Sequence, residues 1–283
     1  MKKEILIVGL GLIGGSYAKR LTSIGYDVYA ISRSHETIEY AVKNGIIISG
    51  DTNVKKEFVS RFDLIVFGLY PHVLLEWLKE YKDYLKDGSI LTDVTGVKGE
   101  IVYKVEDILK DRKAYFVGSH PMAGREVYGI KNAKEDLFIG SNFIITPTAN
   151  SNPLAIQRIK ALGEDLGFKN IAILSPKEHD EMIAYLSQLT HLIAVSLMTA
   201  QDKTHLEKYT GDSFRDLTRI ANINEDMWSE LFFLNKEELL KQTDLFIGEL
   251  TKIKDLIQND KIEELKEKMR LSTERRKHFN KGE

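Results

Sequence analysis

The chain has no cysteine, which excludes a thiol nucleophile, a disulfide framework and Cys-ligated zinc. Proton transfer near neutral pH therefore falls to its seven histidines. Most of them stand in settings that suggest no chemistry. His35 and His278 lie in polar, exposed-looking stretches, His205 lies in a polar run that ends a helix, and His72 follows Pro71 in a loop. His179 stands beside Asp180 and Glu181 with no second ligand one helical turn on, so a metal site is unsupported. His191 interrupts an apolar helical run and by itself reads as a core histidine. His120 differs. It sits in Gly118-Ser119-His120-Pro121-Met122-Ala123-Gly124, directly after a strand-like run, at the carboxyl edge of a sheet where such folds bind ligands.

A second chemistry is written in glycines. Gly9, Gly11 and Gly14 follow an apolar strand (Glu4 to Val8) and open a helix, the order in which a βαβ unit cradles a pyrophosphate. The turn Gly9-Leu10-Gly11-Leu12-Ile13-Gly14 is therefore the expected cofactor-binding segment, with free N–H groups at the helix start facing the phosphates. Gly68 and Leu69, at the end of the third strand, are expected beside it. An NAD site carries a carboxylate about 20 residues beyond the glycines. Here Ser32 and Arg33 hold that place, a pair suited to a 2′-phosphate, so NADP is favoured over NAD.

These residues need a frame. Strand-like runs at Glu4 to Val8, Asp27 to Ser32, Asp63 to Leu69, Ser89 to Val94, Tyr115 to Gly118, Asn142 to Pro147 and Asn170 to Leu174 alternate with helical stretches. That pattern predicts a Rossmann-like, doubly wound, mostly parallel α/β sheet. Beyond Pro176 the β-rich runs stop and long helical periodicity takes over. The expected division is a dinucleotide-binding domain at 1–174 and an all-helical substrate and dimerisation domain at 175–283. The 283 residues carry 40 Lys plus Arg against 42 Asp plus Glu, a net charge of −2, which provides no basic field for nucleic acid. The apolar start is broken by glycines and followed by no Ala-x-Ala-like cleavage site, which argues against a signal peptide, and Lys19 and Arg20 come too early for a membrane span. No membrane partner and a cytoplasmic location are expected.

At these residues the chain resembles the prephenate dehydrogenase family, which includes the arogenate dehydrogenases of tyrosine biosynthesis. The likeness rests on GLGLIGGS (Gly9 to Ser16), TDVTGVKG (Thr92 to Gly99), GSHPMAGRE (Gly118 to Glu126), SPKEHD (Ser175 to Asp180), SQLTHLIA (Ser187 to Ala194), SFRDLTRIA (Ser213 to Ala221) and Met227-Trp228. The resemblance implies an NAD(P)-dependent oxidative decarboxylation of prephenate to 4-hydroxyphenylpyruvate, or of arogenate to tyrosine. It implies that His120 deprotonates the ring hydroxyl, that Arg219 binds a substrate carboxylate, that His191 lines the substrate pocket, and that the protein pairs as a homodimer. Glu126 matches an acid near the pocket entrance. Where many members have Asp-x-x-Ser-x-Lys this chain has Gly96, and Thr95 is the expected substitute for the missing hydroxyl.

Two other classes are weighed against this reading. A β-hydroxyacid dehydrogenase would carry Gly-x-x-x-Lys-x-x-x-Asn in its helical part, and no such pattern appears between Ser175 and Leu250. A catalytically silent nucleotide sensor need not retain His120, His191 and Arg219 together.

Overall fold

The structure is a computed structural model that describes residues 3–202 and 204–279. By internal contacts the chain forms two compact units, Met1–Asn235 and Lys236–Glu283.

The first unit opens with β1 (Glu4–Val8), α1 (Leu12–Ser23), β2 (Asp27–Ile31), α2 (His35–Lys43), β3 (Ser49–Asp51), the short α3 (Lys56–Val59), β4 (Leu64–Phe67), α4 (Pro71–Tyr81), β5 (Ile90–Asp93), α5 (Gly99–Leu109) and β6 (Tyr115–Phe116). The six strands form one parallel sheet in the order β3-β2-β1-β4-β5-β6. The strand order reverses between β1 and β4, which opens a crevice at their carboxyl ends.

The strands read as unbroken apolar runs because both faces are covered. Successive side chains go to opposite sides: Ile5 and Ile7 join one core with Leu64 and Val66, while Leu6 and Val8 join the other with Ile65 and Phe67. Each such side chain, fully buried, stabilises by about 1.5–3 kcal/mol.

Beyond β6 the chain leaves this sheet. The strands β7 (Gly118–Met122), β8 (Asn142–Thr146) and β9 (Asn170–Ile173), with α6 (Pro153–Leu166) between the last two, form a separate three-stranded sheet. Strand β7 runs antiparallel to β8, and β8 runs parallel to β9. The single strand expected around Tyr115 to Gly118 is thus two, and His120 lies within β7 rather than after it. Pro121 explains the strand's place at an edge of the sheet, since proline has no N–H for a second ladder. Asp93 stitches the sheets together, accepting the Ser119 N–H at 3.0 Å on Oδ1, while its backbone carbonyl takes the Ser119 hydroxyl at 2.7 Å.

From Pro176 the described residues are helical or irregular. Ser175 starts α7 (Pro176–Ile183) through a capping box with Glu178. Helix α7 runs through a π turn (Ala184–Gln188) into α8 (Leu189–Thr199), and α9 (Asp212–Thr218), a 3₁₀ turn (Arg219–Ala221) and α10 (Glu225–Leu234) complete the unit. Pro176–Thr199 is, among the described residues, the one helix long and apolar enough to cross a membrane by length and composition. The second unit is a pair of helices, α11 (Lys236–Gln258) and α12 (Ile262–Lys277), turned at Asp260 with a φ of 53° and tied by a Lys268–Glu249 ion pair.

Candidate active site

The phosphate end is built from backbone. Gly9 has a φ of 97°, and a Cβ there would lie 2.5 Å from the Gly68 carbonyl oxygen and 2.8 Å from Leu69 Cδ2. A Cβ on Gly14 would run into the Gly9 carbonyl, whereas one on Gly11 would meet nothing within 4 Å. The outer two glycines let helix, turn and strand close on one another, and the middle one leaves open room where a phosphate would approach. Helix α1 begins at Gly11 with no side-chain cap and no acid in its first turn, so its leading N–H groups are available to an anion. These features fit a dinucleotide pyrophosphate. Leu12 and Ile13 are half-buried, and Leu10 packs into the core, so it offers only its backbone.

At the far end of this crevice, Ser32 follows β2 half-buried and bonds through its N–H to the Asp51 carbonyl at 3.2 Å. Arg33 is exposed. Ser34 caps α2, accepting the Thr37 N–H at 3.3 Å, and His35 Nε2 lies 3.2 Å from the Thr52 hydroxyl. The only acid near this edge in β3, Asp51, is occupied by the Asn53 N–H at 3.0 Å and by Lys55 at 2.7 Å.

The histidine end is built from side chains on several elements. His120 Nδ1 on β7 lies 2.9 Å from His179 Nε2 on α7, and His179 Nδ1 lies 2.7 Å from Asp180 Oδ1. The Asp180 carboxylate also accepts the Lys98 N–H at 2.8 Å and the Gly99 N–H at 2.7 Å, capping α5 from another helix. A carboxylate occupied by two backbone donors acts as an acceptor toward His179 as well, so Nδ1 of His179 carries the proton. His179 Nε2 then offers a lone pair, His120 Nδ1 donates to it, and His120 Nε2 is left with a free lone pair. The network thus assigns one tautomer to His120.

Charge supports that assignment. Burial, then the neighbouring His179 and Lys98, hold His120 well below the ordinary imidazole range. His179 is fully buried, and burial lowers it too, outweighing the pull of Asp180. Lys98 itself is fully buried, paired with Asp93 and 3.0 Å from the Thr95 hydroxyl; burial lowers its pKa and the Asp93 charge opposes that shift. Removing one partner of such a pair costs about 3–5 kcal/mol.

A cation lies close enough to His191 to act on its charge. Arg219, on the 3₁₀ turn after α9, pairs with Glu126 in the loop after β7 and stays mostly exposed. His191 on α8 donates from Nδ1 to the Ser187 carbonyl at 2.8 Å and stacks on Trp228 of α10, with ring centroids 3.6 Å apart. Burial lowers its pKa. Helix α10 is also hooked to the start of α4, where His72 lies in the first helical turn rather than in a loop: Glu230 accepts the His72 N–H at 2.7 Å and faces His72 Nδ1 at 2.8 Å, and Asn224 donates to the hydroxyl of Tyr70, the α4 N-cap residue, at 3.1 Å.

Thr95 requires a correction. Its hydroxyl is turned inward, onto the Asp93 carboxylate and the Val97 carbonyl at 3.0 Å, and the residue is 4% exposed. Those partners are bonded within the turn itself, so the hydroxyl is held away from the place of the missing serine. At Gly96 a Cβ would lie 3.4 and 3.5 Å from the Leu231 methyls and 3.9 Å from His120 Cε1. Sequence reasoning missed His179, Asp180, Asp93 and Lys98. The one available signal was the adjacency of His179 and Asp180, read only as a poor metal site; among the described residues no group of three or more His, Asp or Glu side chains is placed to hold a metal.

A glycine turn at a topological switch point, with a half-buried histidine oriented by a hydrogen-bond chain, has the build of a dinucleotide-binding dehydrogenase. The chain matches "Prephenate dehydrogenase, nucleotide-binding domain" over residues 17–190 and "Prephenate dehydrogenase, dimerization domain" over residues 175–271. It is 30% identical to a prephenate dehydrogenase of Bacillus subtilis, over 94% of this chain and 73% of that one. A prephenate dehydrogenase from A. aeolicus, solved with hydroxyphenyl propionate and NAD+, superposes with a TM-score of 0.89 at 32% identity, covering 99% of each chain. The arogenate dehydrogenase of Synechocystis gives 0.84 at 26% identity, covering 98% of this chain and 100% of that one. The chain belongs to the prephenate dehydrogenase family of oxidoreductases.

Proposed function

We propose that the protein oxidatively decarboxylates prephenate to 4-hydroxyphenylpyruvate, with His120 as the base. The observation that carries this reading is the hydrogen-bonded order Asp180–His179–His120, which leaves a lone pair on His120 Nε2; Arg219, paired with Glu126 and close to His191, supplies the cation.

A dinucleotide held through its pyrophosphate by the Gly9–Gly14 turn would supply the acceptor for the hydride on the ring carbon bearing the hydroxyl. His120 Nε2 takes the hydroxyl proton as that carbon becomes a carbonyl. The ring carboxylate departs as CO₂, its bonding electrons entering the ring, and His120 returns the proton to the resulting phenolate oxygen. Charge balances without a further acid. Because aromatisation drives the carbon–carbon cleavage, the chain supplies only the base, the orientation and a cationic anchor. Arg219 would exchange Glu126 for a substrate carboxylate, making Glu126 an electrostatic gate, and His191 with Trp228 would wall the ring.

Three further assignments accompany this reading. NADP is the favoured cofactor, supported by Ser32, exposed Arg33 and the α2 N-terminus beside them. The functional boundary falls near Ser175, supported by the overlap of the two family matches at 175–190. A homodimer is supported by the dimerization-domain match and by exposed Met182, Leu197 and Met198 on the apolar helix, which a second subunit would cover; a cytoplasmic location is supported by the absence of cysteine in the sequence.

The test is a spectrophotometric assay of NADP and NAD reduction with prephenate and with arogenate. Reduction with prephenate and a lower Michaelis constant for NADP are expected. A clear preference for arogenate would replace the substrate, a preference for NAD would replace the cofactor, and no reduction with either substrate would leave a silent nucleotide binder.

A further inference from the structure

The helix that carries both His179 and His191 is not a regular α-helix. Its middle, Ala184–Gln188, is a π turn, a wide turn that takes up one extra residue and is found mostly at functional sites. The consequence for the two histidines follows from helical geometry. They are twelve residues apart, and at about 100° per residue an unbroken α-helix would set them ~120° apart around its axis. With one residue absorbed by the wide turn, eleven steps remain and the angle falls to ~20°. Gln188 moves in the same sense, from ~180° away from His179 to ~80°.

The hydrogen bonds agree with the compressed register. His179 meets His120, and His191 meets Trp228, which is three residues along α10 from Leu231, the residue that adjoins Gly96 beside His120. Asn235, at the end of α10, reaches both sides of the wide turn with one side-chain nitrogen: Nδ2 lies 2.9 Å from the Asp180 carbonyl and 2.9 Å from Gln188 Oε1. Gln188 in turn donates to the Leu231 carbonyl of α10 at 2.8 Å. Gln188 and Asn235 are both buried. In a regular α-helix Asp180 and Gln188 would stand ~80° apart around the axis, and with one residue absorbed by the wide turn the angle falls to ~20°. Across the helix, Tyr185 and Leu186 are exposed, so the surplus residue bulges away from the pocket.

We propose that the π turn is a register device: it absorbs one residue too many between His179 and His191, and so aligns the residue that orients the base with the residue that walls the substrate. Tyr185 and Leu186 are the surplus, not the site. This rests on the reading of His120 as the base. It carries a requirement that a merely tolerated irregularity would not. Removing one residue from the bulge must leave the alignment intact, because an eleven-residue α-helical spacing gives the same ~20° angle. Adding one must destroy it.

The experiment compares three full-length proteins: the parent, a deletion of Tyr185, and an insertion of one alanine after Leu186. Prephenate-dependent cofactor reduction in the parent establishes the underlying reading before the comparison begins, so its failure is seen separately. The deletion is expected to keep kcat/KM within about 5-fold of the parent and to keep or raise the unfolding midpoint. The insertion is expected to lower kcat/KM by on the order of 10²-fold while the cofactor Kd stays within about 2-fold. A second readout does not depend on turnover. In fluorotryptophan-labelled protein, which has only two tryptophans, the Trp228 resonance should hold its parent position in the deletion and move in the insertion, because His191 has left its stack. A deletion as damaging as the insertion, or one that unfolds the protein, would overturn the proposal, as would an insertion that keeps activity and the Trp228 resonance.

Discussion

The two ends of the candidate site are made of different material. The phosphate end is backbone at close quarters: Gly9, Gly14 and Gly68 work because they lack atoms, and the whole turn lies within one short stretch of sequence plus the end of β4. The histidine end is side chains brought from β7, α7, the loop before α5 and the 3₁₀ turn after α9, and it works because each group fixes its neighbour. One end is therefore broken by adding atoms and the other by exchanging them. That contrast orders the effects expected of mutation.

The largest effect belongs to the base. His120→Asn should lower kcat by on the order of 10²-fold or more while leaving the cofactor Kd nearly unchanged, since the residue sits outside the glycine turn. Steady-state kinetics with prephenate and a cofactor titration check both halves; an equally active variant would remove His120 from the chemistry.

Next come the glycines, where two outwardly similar changes should part company. Gly14→Ala drives a methyl into the Gly9 carbonyl and should lower the unfolding midpoint by several degrees along with cofactor affinity. Gly11→Ala meets nothing in the protein, so the midpoint should hold and only the cofactor Kd should rise. Thermal melts with and without cofactor separate them, and equal losses of stability would show that the turn is not divided between packing and ligand approach in this way.

A smaller effect is expected one step behind the base. His179→Leu removes the acceptor that orients His120 and should cost about 10–100-fold in kcat, by analogy with lost orienting partners of other histidines. His179→Gln keeps an acceptor near the position of Nε2 and should recover part of that loss. Recovery with Gln but not with Leu identifies orientation; equal loss in both would point to packing alone.

The same contrast explains what the sequence could disclose. The glycine turn was legible because its logic is local: a strand, three glycines at fixed spacing and a helix state the requirement for close approach in a dozen residues. The two-layered burial of β1 and β4 was legible for a similar reason, as continuous apolar runs. The second sheet was not, because nothing near Val117 marks the place where the chain leaves one sheet for another; that exit depends on Asp93 and Ser119, 26 residues apart. Nor was the role of His179, whose partners are Asp180 beside it on α7 and His120 on β7, 59 residues away. Thr95 was misread because a hydroxyl next to the expected position looked sufficient, while the turn it occupies had already bonded that hydroxyl to Asp93, Val97 and Lys98.

The smallest expected effect is a pH dependence in which both histidines act with the same sign. Each has a folded-state pKa below the ordinary value of 6.5, chiefly through burial. In catalysis this means that His120 remains the unprotonated base below the pH at which a free imidazole would charge, so the acidic limb of kcat/KM should lie below 6.5. In stability it means that the unfolded chain binds protons that the folded chain refuses. The contribution is complete above 6.5 and is lost as pH falls from there toward the lowered folded values. The slope is at most about 1.4 kcal/mol per pH unit for each histidine. His179→Gln removes one of the two titrating groups, so its unfolding free energy should decline less steeply than the parent's between pH 6.5 and 5 in denaturant titrations, whatever its absolute stability. An acidic kinetic limb at or above 6.5, or parallel stability slopes for parent and variant, would mean that the pair is not held neutral by its burial.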